Sequence, residues 1–217
     1  MEVGDYYCNN SNYAYALKWF SNVKVSNLTG YNKEEFTFKK GYAMFAVGSF
    51  ANSKKYFSQL LNSEKYGAQA KYYYGYMAYM DDDYSEADKY LNQVTDNQGF
   101  DDEIPYYMAN IKYKTGKFQK AIDAALPLLE KSNGIQQSEL SKIIGESYFN
   151  LNEFESAVPY LLEYKGKKGK WNNTDYYLLG YAYYQQKYYD DAVIWFTKII
   201  EGNSAVSHNA YYNMVEY

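Results

Sequence analysis

Apolar and aromatic side chains along this chain gather in pairs of short blocks, each pair split by a brief polar turn. The stretch from Lys71 to Leu91, KYYYGYMAYMDDDYSEADKYL, shows the arrangement most plainly. Two aromatic-rich segments flank Asp81-Asp82-Asp83, and within them Gly75, Tyr84 and Ala87 stand at offsets 0, +9 and +12. The same trio returns as Gly4/Tyr13/Ala16, Gly41/Phe50/Ser53, Ala109/Phe118/Ala121, Gly145/Phe154/Ala157 and Gly180/Tyr189/Ala192. Its internal spacing is constant, and successive copies lie 37, 34, 34, 36 and 35 residues apart. An apolar residue follows seven positions after each second small residue: Val23, Leu60, Val94, Leu128, Tyr164 and Ile199. Self-similarity at this period marks a solenoid, in which each unit buries its apolar face only against its neighbours.

A Gly in the middle of a helix costs about 1 kcal/mol of propensity relative to Ala. Its recurrence therefore requires a compensating contact. With no side chain at the first position and Ala or Ser at +12, two antiparallel helices can approach until backbone and Cβ touch, and the aromatic at +9 covers their seam. Gly75, Tyr84, Ala87 and their counterparts resemble the tetratricopeptide repeat, a helix-turn-helix unit of about 34 residues. The resemblance runs from Gly4 to the last residues. It lacks the Pro that often closes a unit of that family and the Trp near its start, but neither sets the contact between small residues.

The resemblance implies an all-α fold, a right-handed α-solenoid of antiparallel helix pairs. One array over residues 1–217 is expected, with a partial unit at 1–33, units at 34–67, 68–101, 102–136, 137–172 and 173–206, and a partial unit at 207–217. Met1 to Cys8 reads as a first helix entered midway, followed by Tyr13–Val23 and a long connection from Lys24 to Lys33. The expected pairs are Glu34–Val47 with Phe50–Leu61, Ala68–Met80 with Tyr84–Val94, Asp102–Lys114 with Phe118–Lys131, Gln137–Asn150 with Phe154–Tyr164, and Thr174–Gln185 with Tyr189–Glu201. A further first helix opens at Ser207–Tyr217. Incomplete repeats at both ends point to a longer parent and to apolar ends through which partners associate. Pro105 suits the first turn of its helix, Pro159 falls in the opening turns of another, and Pro127 should bend or shorten a third.

Composition adds exclusions. The chain holds 31 Tyr, no Arg and a net charge of −4, a balance that argues against a general nucleic-acid binder. No apolar run approaches the roughly 20 residues of a membrane span, so direct membrane insertion is not expected. A lone Cys cannot form an internal disulfide.

An inventory of reactive groups supports no enzyme. His208 is the sole histidine, Cys8 has no candidate base nearby in sequence, and Gly166 and Gly169 lack the spacing of a phosphate-binding loop. The acidic triplet at Asp81 reads as a helix cap rather than a calcium loop, which needs a Gly and a distant Glu at set spacing. The basic run Lys165-Gly-Lys-Lys-Gly-Lys170 reads as a solvated linker with a possible acidic partner. No catalytic, cofactor-binding or metal-ligating residue is expected.

What remains is a surface. In the resembled family the first helices line a concave face, with ligand-facing positions three before, one after and four after the central small residue. Those positions hold Phe38, Tyr42 and Phe45; Tyr72, Tyr76 and Tyr79; Tyr106 and Tyr113; Phe149; and Tyr177, Tyr181 and Tyr184, so twelve of fifteen are aromatic. Asn110, Lys142 and Glu146 are the exceptions. Tyrosine offers apolar faces with hydroxyl rims at low entropic cost, as binding hot spots favour. The same spacing also suits rings that merely pack between neighbouring helices, and both readings stand at this level. The resemblance implies a non-catalytic protein-protein interaction scaffold holding a peptide or partner helix, with glycan binding through the tyrosine ladder as the alternative. It further implies a periplasmic or outer-membrane-associated parent, by likeness to Lys-, Asn- and Tyr-rich repeat proteins of the Gram-negative envelope.

Overall fold

The computed structural model describes residues 2–94, 103–199 and 205–215. Among the described residues run thirteen α-helices, one 3-10 turn at Val25–Asn27 and no strand beyond an isolated bridge. The helices pair as α1 (Glu2–Asn9) with α2 (Tyr13–Phe20), α3 (Gly30–Ala46) with α4 (Phe50–Phe57), and α5 (Gly67–Met80) with α6 (Tyr84–Leu91). Then come α7 (Ile104–Lys114) with α8 (Phe118–Leu129), α9 (Gly134–Asn150) with α10 (Phe154–Glu163), α11 (Asn173–Gln185) with α12 (Tyr189–Phe196), and α13 (Ala205–Val215).

Two compact units result, Met1–Ile104 and Pro105–Tyr217. In the first, the helices of each pair pack together and each second helix rests on the next first helix, α2 on α3 and α4 on α5. In the second, α8 through α12 pack in chain order and α13 lies against α11 and α12. Among the described residues no helix is long and apolar enough to cross a membrane.

Every turn within a pair has the same chemistry. Seven residues after the central small position the backbone turns left-handed, at Ser11, Gly48, Asp82, Gly116, Asn152 and Lys187, with φ between 57° and 78°. The amide of the next residue reaches back to a carbonyl of the first helix, as in Asp83 N to Ala78 O at 2.9 Å and Tyr188 N to Tyr183 O at 3.0 Å. The left-handed residue itself bonds one turn back, as in Asp82 N to Tyr79 O at 3.1 Å. This doubled bond satisfies carbonyls that a helix end leaves open. The residue after it then accepts the first bond of the second helix, as in Ala87 N to Asp83 O at 2.9 Å. One residue thus closes one helix and opens the next. The Asp83 side chain also accepts from Glu86 N at 3.1 Å, which is the cap expected of the acidic triplet.

The glycines explain how closely the paired helices approach. A Cβ placed on Gly75 would lie 2.9 Å from Leu91 Cγ, and one on Gly180 would lie 2.7 Å from the Phe196 ring. Gly4 meets Phe20 and Gly145 meets Leu161 in the same way. The missing side chain therefore makes room for a large apolar residue sixteen positions on, rather than only for the Ala at +12. The one unit that has Ala109 in place of Gly has Ala125 at that later position, and both are fully buried. Where one partner grows by a methyl, the other shrinks. In the Gly41 unit, Ser53 stands for Ala, and its buried hydroxyl donates to Gly41 O at 2.8 Å.

Several boundaries depart from expectation. Most second helices end three to five residues early, α4 at Phe57 and α6 at Leu91, because the chain tightens into i to i+3 bonding, as in Leu60 N to Phe57 O at 2.9 Å. The tighter turn swings Leu60 and Ile199 back into the core, where both are buried. Gly30 and Gly134, each read as part of a connection, instead begin 17-residue helices. Pro127 does not shorten α8, at 12 residues the longest second helix. It lies in the last turn, and both it and Asp123, whose carbonyl loses its usual partner, are solvent-exposed. The expected start at Asp102 and the expected ends at Glu201 and Tyr217 lie outside the described residues.

Gly75→Ala should cost about 1 to 3 kcal/mol in urea unfolding despite the better helix propensity of Ala. Combined with Leu91→Ala, it should cost less than the sum of the two single changes, because the pair then copies Ala109 and Ala125. An additive double mutant would dismiss this contact as the basis of the repeat. Lys187→Gly should stabilise the chain by about 1 kcal/mol, since it removes a side chain from a left-handed position; thermal denaturation reads the change.

Candidate functional site

In the first unit the predicted ladder residues come together on α3 and α5. Phe38 stacks on Tyr66 with centroids 4.8 Å apart and lies parallel to Tyr42 at 6.5 Å. Phe45 packs 5.7 Å from Tyr76, and Tyr76 stacks on Tyr72 at 6.3 Å. Tyr79 meets Tyr84 edge to face at 6.0 Å. Tyr72 is buried, and its hydroxyl donates to Glu103. Phe38, Tyr42, Phe45, Tyr76 and Tyr79 are half-buried.

The ring at the centre of this set is one the ladder spacing misses. Tyr73 lies 5.5 Å from Tyr42, 4.9 Å from Phe45 and 5.0 Å from Phe57. Three consecutive tyrosines, Tyr72 to Tyr74, carry no periodicity by which to tell inner from outer. Tyr74 faces the other way, donating to Glu86 at 3.2 Å with Lys54 Nζ 4.9 Å above its ring.

In the second unit the ladder residues divide. Tyr177, Tyr181 and Tyr184 form a strip along α11, with neighbouring centroids 5.7 and 6.2 Å apart, and Phe149 of α9 joins it 5.8 Å from Tyr181. Tyr106 and Tyr113 of α7 pack instead on the buried cluster of Leu140, Ile143 and Ile144. All six are half-buried.

Between these two groups the non-aromatic positions build a polar node. Lys142 Nζ stands 3.5 Å from Glu146 and 3.6 Å from Asp175, and it lies 4.5 Å above the Tyr164 ring. Tyr113 donates its hydroxyl to Glu146. Asp175 is only 7% exposed and accepts from Asn172 N at 2.8 Å, completing a capping box at the start of α11. Burial pulls the Lys142 ammonium down, but Glu146 and Asp175 outweigh it and hold the group above its usual value. A charge this enclosed persists because its partners are fixed, Glu146 one turn along α9 and Asp175 at the start of α11.

The remaining candidates are placed plainly. Cys8 is half-buried, and burial first, with Asp5 adding, pushes its thiol up against the opposing pull of Lys39, the reverse of what a reactive thiol needs. His208 is exposed on α13. Among the described residues no three His, Cys, Asp or Glu side chains are grouped to hold a metal ion. The Lys165–Lys170 run departs from a plain linker, since Lys165 N donates to Ser138 Oγ at 2.9 Å and Lys167 pairs with Lys170.

Tyrosine burial has a pH consequence. Hydrogen bonding to Asp82 pushes Tyr84 up to about 12, and burial with Glu86 pushes Tyr74 up to about 12. Burial also raises Tyr73, Tyr106 and Tyr113. The unfolded chain releases these protons near pH 10, before the folded chain does, so their contribution is whole below about pH 10 and is lost as pH rises toward 12. Urea unfolding from about pH 8 to pH 11 should show falling stability in step with tyrosinate absorbance; a flat profile would contradict the burial of these phenols.

No family model and no curated protein matches the sequence. Solved structures do. MamA of strain AMB-1 superposes with a TM-score of 0.62 at 15% identity, covering 79% of this chain and 91% of that one. The C-terminal part of a TPR repeat-containing protein from Cytophaga hutchinsonii gives 0.58 at 16%, covering 99% of this chain and 78% of the other. Yeast Tom70 gives 0.52 at 13%, covering 94% of this chain and 47% of its own length. Identity this low speaks of fold alone, and here it agrees with the register of the repeats and the contact that sets each pair. The chain has the all-α fold of the tetratricopeptide-repeat proteins.

Proposed function

We propose that this chain is a non-catalytic protein-interaction scaffold that holds a peptide or partner helix against the aromatic faces of its first helices. The supporting observation is that the ladder rings brace one another yet, Tyr72 apart, remain half-buried rather than enclosed. Rings held by neighbours lose little further freedom when a ligand arrives, so their contact area converts to affinity with a small entropic cost. Each unit presents its own patch, around Phe45 and Tyr76 in the first and around Tyr181 in the second.

Partner rings also cover much of the flat ring surface. Phe38 lies against both Tyr66 and Tyr42, and Tyr181 has Phe149, Phe154, Tyr177 and Tyr184 about it. A sugar needs an open platform, whereas apolar side chains of a peptide fit the clefts between ring edges. The arrangement thus supports a peptide over a glycan. The Lys142 node adds one polar address beside the second patch, the kind of feature that selects register by penalising an unpaired charge.

Peptide-display selection on the intact chain, followed by Tyr76→Ala and Tyr181→Ala, tests this reading. Tyr76→Ala should weaken a peptide selected on the first patch, and Tyr181→Ala one selected on the second, by about tenfold, near 1.4 kcal/mol, while the chain stays folded by circular dichroism. Should both substitutions unfold the chain, the ladder is core and the proposal fails.

A further inference from the structure

The strongest feature outside the ladder is the run Lys165 to Lys170, which joins α10 to α11. It carries four lysines in six residues on a chain of net charge −4. Its backbone is fixed. Gly166 is buried with φ +82°, and a Cβ there would lie 2.3 Å from the Lys170 carbonyl carbon, so residues 166 and 170 cross at contact distance. Gly169 N donates to Gly166 O at 3.1 Å and Lys170 N to Lys167 O at 3.2 Å. Trp171 closes the base, donating from Nε1 to Tyr164 O at 2.6 Å while its ring packs 5.4 Å from both Tyr176 and Trp195.

All four lysine side chains point to solvent. Lys165 stands 3.8 Å from the equally exposed Glu163, and among the described residues Lys167, Lys168 and Lys170 form no ion pair. Two concavities flank the hairpin. One, of about 530 Å³, is lined by Leu162, Trp171 and Tyr176 beside Lys165 and Lys170. The other, of about 640 Å³, lies between the hairpin and the start of α9, with Ile135 on its wall and Glu139 as its one acid. Ile135 is 84% exposed and Leu162 39%. Basic charge held on a rigid turn, with an apolar recess on either side, is a surface built for something both acidic and apolar.

We infer that this hairpin is a second docking surface, separate from the aromatic ladder, for an acidic peptide segment of a partner protein whose flanking apolar side chains enter the two recesses. Charge complementarity selects the acidic run. The concavity selects a peptide over an anionic membrane, because a flat lipid surface would leave two hollows of about 530 and 640 Å³ unfilled, whereas peptide side chains can enter them. The opposed chain charge strengthens the assignment. On a chain of net negative charge, four lysines on one short turn offer such a segment a concentrated local attraction.

The test uses a labelled peptide carrying a Glu-Asp-Glu-Asp run between two leucines, followed by fluorescence anisotropy on the full chain. Binding should weaken by about tenfold or more in the variant Lys167→Glu, Lys168→Glu and Lys170→Glu, and it should weaken steadily as salt rises from about 50 to 500 mM. Ile135→Ser should weaken it several-fold, as should replacing the leucines of the peptide by serine. Circular dichroism confirms that the exposed substitutions leave the fold intact, and Tyr76→Ala should leave this affinity unchanged. Affinity indifferent to the lysine reversals would overturn the inference. So would a sulfated oligosaccharide or phosphatidylglycerol vesicles that bind the hairpin with an affinity unaffected by Ile135→Ser, since the surface would then read charge alone.

Discussion

The contact between a backbone without a side chain and a large apolar residue sixteen positions later is what the rest of this structure depends on. A helix pair can close only as far as its bulkiest facing atoms permit, and interiors packed at crystal density leave no slack to absorb an extra methyl. Gly75 with Leu91 and Gly180 with Phe196 meet that limit from one side. Ala109 with Ala125 meets it from the other, a methyl on the first helix being matched by a smaller residue on the second. Inter-helix distance is thereby held across units whose other residues vary widely. Within each compact unit one neighbouring first helix then arrives at a reach that aromatic rings span, α5 beside α3 and α11 beside α9.

The turn complements this contact. A left-handed residue at one position of each pair reverses the chain while pairing the carbonyls at the end of the first helix, and the next residue starts the second. Only two of the six such positions are glycine, at Gly48 and Gly116. Asn152 and Asp82 tolerate the conformation through their short polar side chains, whereas Ser11 and Lys187 occupy it at some cost in stability. The geometry of the pair evidently outweighs local preference at those two sites.

Rings and charges then divide the surface. Aromatic side chains brace one another along the first helices, so that the proposed ligand face is also a part of the packing. At ladder positions that are not aromatic an ion-paired node stands instead, with Lys142 between Glu146 and Asp175. The lysines of the 165–170 hairpin lie on a connection instead, where a turn closed by Gly166 and Trp171 holds its backbone in place.

How much of this was legible in the chain follows from what each feature depends on. The trio at 0, +9 and +12 repeats because helix pairs repeat, so the sequence alone determined the all-α class, the six turns and most first helices to within a residue or two. Position +16 was equally legible in Phe20, Phe57, Leu91, Ala125, Leu161 and Phe196, although mixed residue types there conceal that the large ones all face a Gly. The ends of the second helices were not, because the same apolar residue can reach the core from an α-helix or from a tighter turn, and only packing chooses. Nor could the tyrosine run Tyr72–Tyr74 say which ring faces inward, since identical neighbours have no period. The tertiary structure alone placed Tyr73 at the centre of the first aromatic patch, tied Lys142 to Asp175 across 33 positions of sequence, and turned a basic run into a fixed hairpin. In each case the deciding partner lies on another helix, and local pattern carries no record of a neighbour that only folding brings near.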